Sequence, residues 1–538
     1  MLTLLHRLRS DRGFTLVAVM GTMAILTVFL LASLGFAITN MAPNRKDQDA
    51  KAAMAAAQAG IDDFVSRLNG NDSYWVNNSS DKFATFGDTT NTAFSPTGLS
   101  IPGTGSGPAT YNYTVLSSST QTTLTGIIRL QSTGKSRNAS RTLIAQLQPS
   151  GFLRFIYFTD IEAQDPALWD SSRTDCNRYY YAVPPTPARP GNCTEIQFTG
   201  GDVIQGPLHS NDALQINGSV LFTDPKTETS WADGASPAPA ANHRWWGTGT
   251  PSASGYRPVY QAPVVLPAAN SEIQSYADPA KSDAAAPGCL YSGQTRIRFS
   301  GNQMKVLSPG TTSSATKPRC YNFSTPTTEQ TLNIPPVIYV QQLSGSCSAG
   351  GIGYPITKEV AMTIAGTSNP YDCHDGDAFV QGTATGQVTI ATANDVVVTG
   401  DLKTTTNDFT GTDVIGLVAN NYVWVYHPVD KNGANIVPPT TGYVHEIDAA
   451  ILSVAHSFLV QNWDQGAALS AMGDDSSKLT IKGAIAQKHR GPVGTGTATS
   501  IATGYLKNYV YDPRLMTLPP PYFLKPVSAP WGVSKLSE

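Results

Sequence analysis

Charge is scarce in this sequence. Only 14% of the 538 residues are Asp, Glu, Lys or Arg, the formal net charge is −3, and the pI lies near 6.2. With no basic stripe and no nucleic-acid motif, that balance leaves no electrostatic footprint for nucleic acid as a partner. Cysteine is sparse as well, at six: Cys176, Cys193, Cys289, Cys320, Cys347 and Cys373. None lies in a C-x-x-C pair, and no spacing sets two cysteines with two histidines, which excludes the common structural zinc patterns. The most telling absence is local: no charged residue occurs between Arg12 and Arg45.

What fills that gap is an apolar run from Phe14 to about Ala42. A secretory signal peptide has an apolar core of about 7–15 residues with its cleavage site after the core. Here the run is roughly twice that length, and the plausible cut lies before it, at Gly13. At about 1.5 Å rise per residue, such a run forms a helix of about 40 Å, enough to cross a bilayer with tilt. Cutting after Gly13 removes only the basic leader and keeps the anchor.

The leader residues Arg7, Arg9 and Arg12, then Gly13, then Phe14-Thr15-Leu16 ahead of a long apolar helix, resemble the type IV pilin and pseudopilin family. By motif the resemblance covers about the first 70 residues. It implies a prepilin peptidase that cuts after Gly13 and methylates the amino group of Phe14, and a packing helix, including Thr15, Leu16 and Ala18, that docks among other pilin subunits at an assembly platform. One position departs from the family's major subunits, which carry Glu five residues after the scissile bond where this chain has Ala18. A carboxylate at mid-bilayer costs about 2.5–3.5 kcal/mol unless partnered, and in pilins the partner is the terminal amine of a neighbour. Ala18 cannot neutralise that amine. The resemblance therefore implies a minor subunit, similar to the K-type pseudopilin that caps a filament tip, and the segment Ala55–Phe64 also resembles the post-anchor helix of PilX-like minor pilins.

Lys and Arg near the two ends of the run balance, so the positive-inside rule does not decide orientation. The short N-terminal side and the bulk beyond the span favour a single pass in the cytoplasmic membrane, N-terminus inside. After Pro43, residues Ala50, Ala53, Met54, Ala57, Ile61, Phe64, Val65 and Leu68 recur at helical spacing, and Asn69-Gly70 supplies a stop. A second, amphipathic helix is expected over 43–70.

Beyond it, 47 Gly, 37 Pro and many short apolar pairs point to β structure with frequent turns. The expected fold class is α+β: the long N-terminal helix, a small helix-plus-sheet pilin-like head, and a large all-β domain. In the head, 111–116, 123–131 and 141–148 alternate like strands of a half-buried antiparallel sheet. In the large domain, strands of three to five residues broken by Gly and Asn suit a β-solenoid resembling a parallel β-helix, with a β-sandwich as the alternative. The expected organisation is leader 1–13, transmembrane helix 14–42, amphipathic helix 43–70, head 71–150, solenoid start 151–223, a Pro/Ala/Ser-rich insertion 224–295, solenoid 296–510 and a capping tail 511–538.

An even cysteine count in an exported chain suggests three disulfides. Fifteen connectivities are open, and the nearest-neighbour set 176–193, 289–320 and 347–373 is preferred because it closes short loops. No metal or other cofactor is assigned; Asp372, Asp375 and Asp377, with His374, are the calcium candidates, although their spacing matches no EF-hand loop. Trp245 and Trp246 beside His243 and Arg244 offer a sugar platform, against the plainer reading that they plug the insertion. His209-Ser210-Asn211-Asp212 groups reactive types, but neighbours on a strand point to opposite faces and form no relay. Asp474-Asp475 reads as a solvated turn. The chain is therefore expected not to be an enzyme but a membrane-anchored minor pilin or pseudopilin. Its β domain would bind a surface, a protein or a polysaccharide. The alternatives are an anchored adhesin outside any filament and an anchored carbohydrate-active β-helix enzyme.

Overall fold

The computed structural model describes residues 14–538 apart from 71–73, 77–90, 102–108, 119–121, 123–126, 150, 242, 326, 346, 348–350, 361–370, 407, 440, 470–477, 498–499, 517 and 526–530; side chains at 14–15 and 36–44 are also outside the description. It forms two compact units. The first holds the chain through Ser118, then Ile128–Leu147 and Val533–Glu538; the second holds Ser119–Ile127 and Gln148–Gly532. In sequence, the second unit is thus inserted into the first.

The first unit is built on α1, Phe14–Gly70, a single helix where two were expected. Proline at position 43 removes one backbone donor and one helical bond, at a cost of about 3 kcal/mol in a helix interior. The helix continues on both sides, so the apolar and amphipathic stretches form one element. The C-terminal half packs on a five-stranded sheet ordered Leu99–Ser100, Thr110–Val115, Ile128–Ser136, Ala139–Pro149, Trp531–Ser537. The first four pair antiparallel. Gly134 allows the helix to come close: a Cβ there would sit 2.0 Å from the Ala53 carbonyl oxygen. Ser132 Oγ donates to the Ala57 carbonyl at 2.7 Å across the same contact. Phe64 meets Tyr74 and Tyr113 edge-on at 5.3 and 5.2 Å, which fills the lower core. Of the three expected head strands, the second lies at Ile128–Ser136, and residues 123–126 fall outside the description.

The C-terminal segment corrects the expected capping tail. Trp531–Ser537 is the last strand of the head sheet, with Ser534 Oγ donating to the Gln146 carbonyl at 3.0 Å. The Pro-rich stretch before it lies along the side of the second unit: Thr389 Oγ1 donates to the Pro521 carbonyl, and Phe523 and Leu524 are buried in a side cluster with Phe152 and Val418. A terminal cap needs an open end, whereas these apolar residues find a larger partner on the flank.

The second unit is mostly parallel β. One ladder runs, in spatial order, Cys289–Ser292, Val337–Gln341, Gln387–Thr392, Val414–Ala419, Glu446–Ser453, Lys478–His489, Tyr157–Ile161, Leu208–Ser210, Thr227–Thr229 and Val259–Tyr260. A second runs Thr295–Gly301, Ala378–Ala384, Val396–Thr404, Val423–Val425 and Phe458–Val460. A third continues from Lys478–His489 through Leu506–Tyr511, Val203–Gln205, Ser219–Phe222 and Thr250–Pro251. Side chains at alternate positions point between the ladders, and Ile390, Leu417, Ile451 and Ile485 form one apolar row of the core. The strands read as continuous apolar runs because both faces are covered.

One further expectation is corrected. The stretch 224–295 is not an insertion, since Thr227–Thr229, Thr250–Pro251 and Cys289–Ser292 are strands of these ladders and Trp245–Trp246 pairs in parallel with Leu214–Asn217; its alanines and all its prolines but Pro251 lie in the connections. The ladders do not follow chain order. The late strand Lys478–His489 pairs with the early strand Tyr157–Ile161, placing the start of the domain in mid-ladder. Charge closes that seam: Lys488 pairs with Asp160, and buried Arg490 donates to Glu162 at 2.9 Å while lying 3.7 Å above the Phe198 ring.

Candidate functional site: the N-terminal helix and the second-unit clusters

Gly13 lies outside the described residues, and α1 starts at Phe14. Thr15 is on the helix with its side chain outside the description. From Leu16 to Gly35 the helix has a mean hydropathy of 2.3, and none of its residues is buried within the protein. Leu16, Met20, Phe29 and Leu30 are all more than 60% exposed. It is the one helix among the described residues long and apolar enough to cross a membrane. Ala18 is exposed on this stretch, with no ionisable group in the same span. The inner half differs: Ala53, Ala56, Ala57, Ile61, Phe64 and Leu68 are fully buried against the head sheet. A single element therefore has one half satisfied by its own sheet and the other by nothing among the described residues.

The cysteines pair as 176–193, 289–320 and 347–373, the nearest-neighbour set. The first two are buried and pin connections of the second unit, whereas Cys347 and Cys373 are exposed. The calcium candidates do not come together as one set. Asp372 lies with Cys347, Cys373 and His374, whereas Asp377 is buried, accepting from Asn394 Nδ2 at 2.7 Å and from the Asp395 amide at 3.0 Å. Burial, with the nearby charges of Asp395 and Asp375, holds the Asp377 carboxyl well above the usual range, so it favours a proton over a negative charge.

The other candidates are structural. His209 is buried, bonded to Asn211 and Glu228 and stacked on Phe158. Asp212 accepts from the amides of Glu162, Tyr180 and Ala213 and pairs with Arg189 at 2.5 Å. Trp231 and Trp245 are buried, and Trp246 stacks on Tyr180 at 4.6 Å, so these rings serve packing. Asp474 and Asp475 lie outside the described residues.

A cleft of about 560 Å³ in the second unit went unseen in the sequence. Gln164, Gln197, Asp202, Trp463, Tyr505 and Lys507 contribute to its wall, drawn from segments more than 300 residues apart. The half-exposed Trp463 is an apolar plate among amide and charged groups. No local signal marked it, because each residue is ordinary in its own stretch.

The prokaryotic N-terminal methylation motif matches residues 8–34. No curated protein matches the chain. Among solved structures, the competence-associated pilin ComZ from Thermus thermophilus is similar at 12% identity and a TM-score of 0.30, over 91% of this chain and 97% of that one. On the strength of the methylation motif and the apolar helix it opens, the N-terminus of this chain is that of a type IV prepilin.

Proposed function

We infer that the chain is a minor pilin or pseudopilin of a type IV pilus or a type II secretion-like system. The observation that carries this reading is α1. A prepilin motif opens a helix whose outer half is uncharged, strongly apolar and uncovered among the described residues, while its inner half is locked to a sheet. Such a helix partitions into a bilayer before assembly and can exchange lipid for neighbouring helices afterwards, since packing against lipid and against helices is similarly apolar. The reading makes prepilin peptidase, other pilin subunits and the assembly platform the partners. It places the N-terminus on the inner side of the cytoplasmic membrane, the apolar half of α1 within it, and the head sheet and second unit outside. Ala18, with no carboxylate to offer a neighbour's amine, favours a minor or tip position.

In this reading the parallel ladders are the faces of a β-solenoid. Support comes from the consecutive parallel pairings of strands of two to twelve residues. The large β unit presents a binding surface for adhesion or a partner protein. The cleft at Trp463 favours a saccharide, since an aromatic plate among amides and carboxylates matches a sugar's apolar face and hydroxyl rim. No catalysis is assigned, because His209 and Asp212 are held in buried structural bonds.

The test is the N-terminal mass of the membrane-extracted protein. N-methyl-Phe14 as first residue is expected, and Gly13→Arg should leave the longer precursor. An intact Met1 in the unaltered protein overturns the reading in favour of an anchored adhesin.

A further inference from the structure

Cys347, Asp372, Cys373 and His374 bring four potential ligand atoms within 4.8 Å of one another on the surface of the second unit. The geometry around the imidazole is that of a metal ligand in waiting. His374 Nε2 lies 2.9 Å from the Gly345 carbonyl oxygen. A ring proton on Nε2 is donated there, as to the backbone carbonyls beside metal-bound histidines, while in the disulfide form Nδ1 donates to the Asp372 carboxylate, a proton that a metal at Nδ1 would displace to solvent. Around Nδ1 stand Cys347 Sγ at 3.5 Å, Cys373 Sγ at 3.8 Å and Asp372 Oδ1 at 3.0 Å. In a tetrahedral zinc site with Zn–S of about 2.3 Å and Zn–N of about 2.0–2.1 Å, the sulfur–nitrogen edge is about 3.5 Å and the sulfur–sulfur edge about 3.8 Å. The edges to nitrogen are therefore near their zinc-bound lengths. The sulfur–sulfur edge is too short for zinc, because those two atoms are bonded to each other.

We propose that Cys347, Cys373, Asp372 and His374 are a redox-gated zinc site: a disulfide when oxidised, and a donor set of two thiolates, one carboxylate and one imidazole for Zn²⁺ once a dithiol has opened the bridge. In the opening step the dithiol is oxidised to its own disulfide while each cysteine sulfur gains a hydrogen. Zinc then displaces the two thiol protons and the Nδ1 proton to solvent and is held by both sulfurs, the Asp372 carboxylate and the neutral His374 ring. Thiolate and imidazole donors suit zinc and disfavour calcium or magnesium, which take oxygen. Access favours this bridge over the other two: Cys347 and Cys373 are exposed, whereas Cys176, Cys193, Cys289 and Cys320 are buried. The backbone need move little, since the Cα atoms, 6.0 Å apart, let side-chain rotation separate the sulfurs. The site joins this surface to the redox state and zinc supply of its compartment, and is independent of the pilin reading.

The experiment uses the full-length chain in detergent. Graded dithiol is applied and removed by anaerobic desalting, freed thiols are mapped by alkylation, and zinc sulfate is added and desalted away before metal analysis. Cys347 and Cys373 should be the first pair alkylated. Reduced protein should keep close to one zinc per chain, and oxidised protein none. Cys347→Ser with Cys373→Ser should abolish retention, and His374→Ala should weaken it at least tenfold against a competing chelator. Another disulfide opening first overturns the proposal. So do an opened 347–373 pair that retains no zinc, full retention by the double serine variant, and unchanged affinity in His374→Ala.

Discussion

Gly134→Ala should loosen the packing of α1 on the head sheet more than any other single methyl addition in the first unit. A Cβ at position 134 would stand 2.0 Å from the Ala53 carbonyl oxygen, 2.3 Å from the Ala57 amide nitrogen and 2.9 Å from the Ala56 carbonyl carbon. All three are helix backbone, which cannot rotate aside as a side chain can. The helix must lift by more than an ångström or the strand must bend. A gap of about 0.5–1 Å already forfeits a quarter to a half of the dispersion attraction across a contact. The residues that would lose it include Ala53, Ala56 and Ala57, all fully buried. Overpacking of this kind costs about 1–3 kcal/mol, and loss of the Ser132–Ala57 hydrogen bond adds about 1 kcal/mol, giving roughly 2–4 kcal/mol. Hydrogen exchange reads this directly: protection of amides in Ile128–Ser136 should fall about 100-fold, since each 1.4 kcal/mol is a factor of about ten. Strand Tyr157–Ile161 of the second unit is the internal control, and Gly70→Ala, with nothing near its added Cβ, should be close to neutral. A fall of less than about threefold at Ile128–Ser136 would refute the close-packing argument.

Three other outcomes are expected. Arg189→Ala should destabilise the second unit by about 3–5 kcal/mol in denaturant titration, because it leaves buried Asp212 unpaired and removes both bonds to Glu195; a loss under 1 kcal/mol would refute a structural role for that network. Burial pushes the Asp448 carboxyl up to about 7, so its contribution to stability is fully present below about pH 4 and is lost as pH rises through 7, about 4 kcal/mol in all. His489, pushed down to about 4 by burial, acts oppositely, losing stability as pH falls from 6.5 through 4. Asp448→Asn keeps an oxygen acceptor for the Thr404 amide and should raise the melting temperature at pH 8 but not at pH 4.5; an unchanged difference between the two pH values counts against it. Ending the chain after residue 530 removes the strand beside Ala139–Pro149 and should expose that edge, seen as lower exchange protection over 139–147 and concentration-dependent association in gel filtration.

The N-terminal methylation motif was legible because its signal is consecutive: Arg12-Gly13-Phe14-Thr15-Leu16 and a long run without charge. The inner half of α1 was legible from its spacing, and the β character of the remainder from composition. These are local properties, set by side-chain period and solubility within a few turns of chain. The disulfide set was one preference among fifteen until the fold brought each pair within bonding distance. Only the tertiary structure decided that α1 runs through position 43, where a proline weighs against continuity locally and only the C-terminal half gains packing from the head sheet. It alone decided that Trp531–Ser537 returns to the head sheet and that Lys478–His489 lies beside Tyr157–Ile161. Those pairings join strand edges hundreds of residues apart, and every backbone edge offers the same donors and acceptors. What selects the partner is the fit of buried side chains and ions such as Arg490 with Glu162 and Phe198. The grouping of Asp372, Cys373 and His374 with Cys347, and of Trp463 with Gln164 and Gln197, has the same origin: no window of sequence contains both sides of either site.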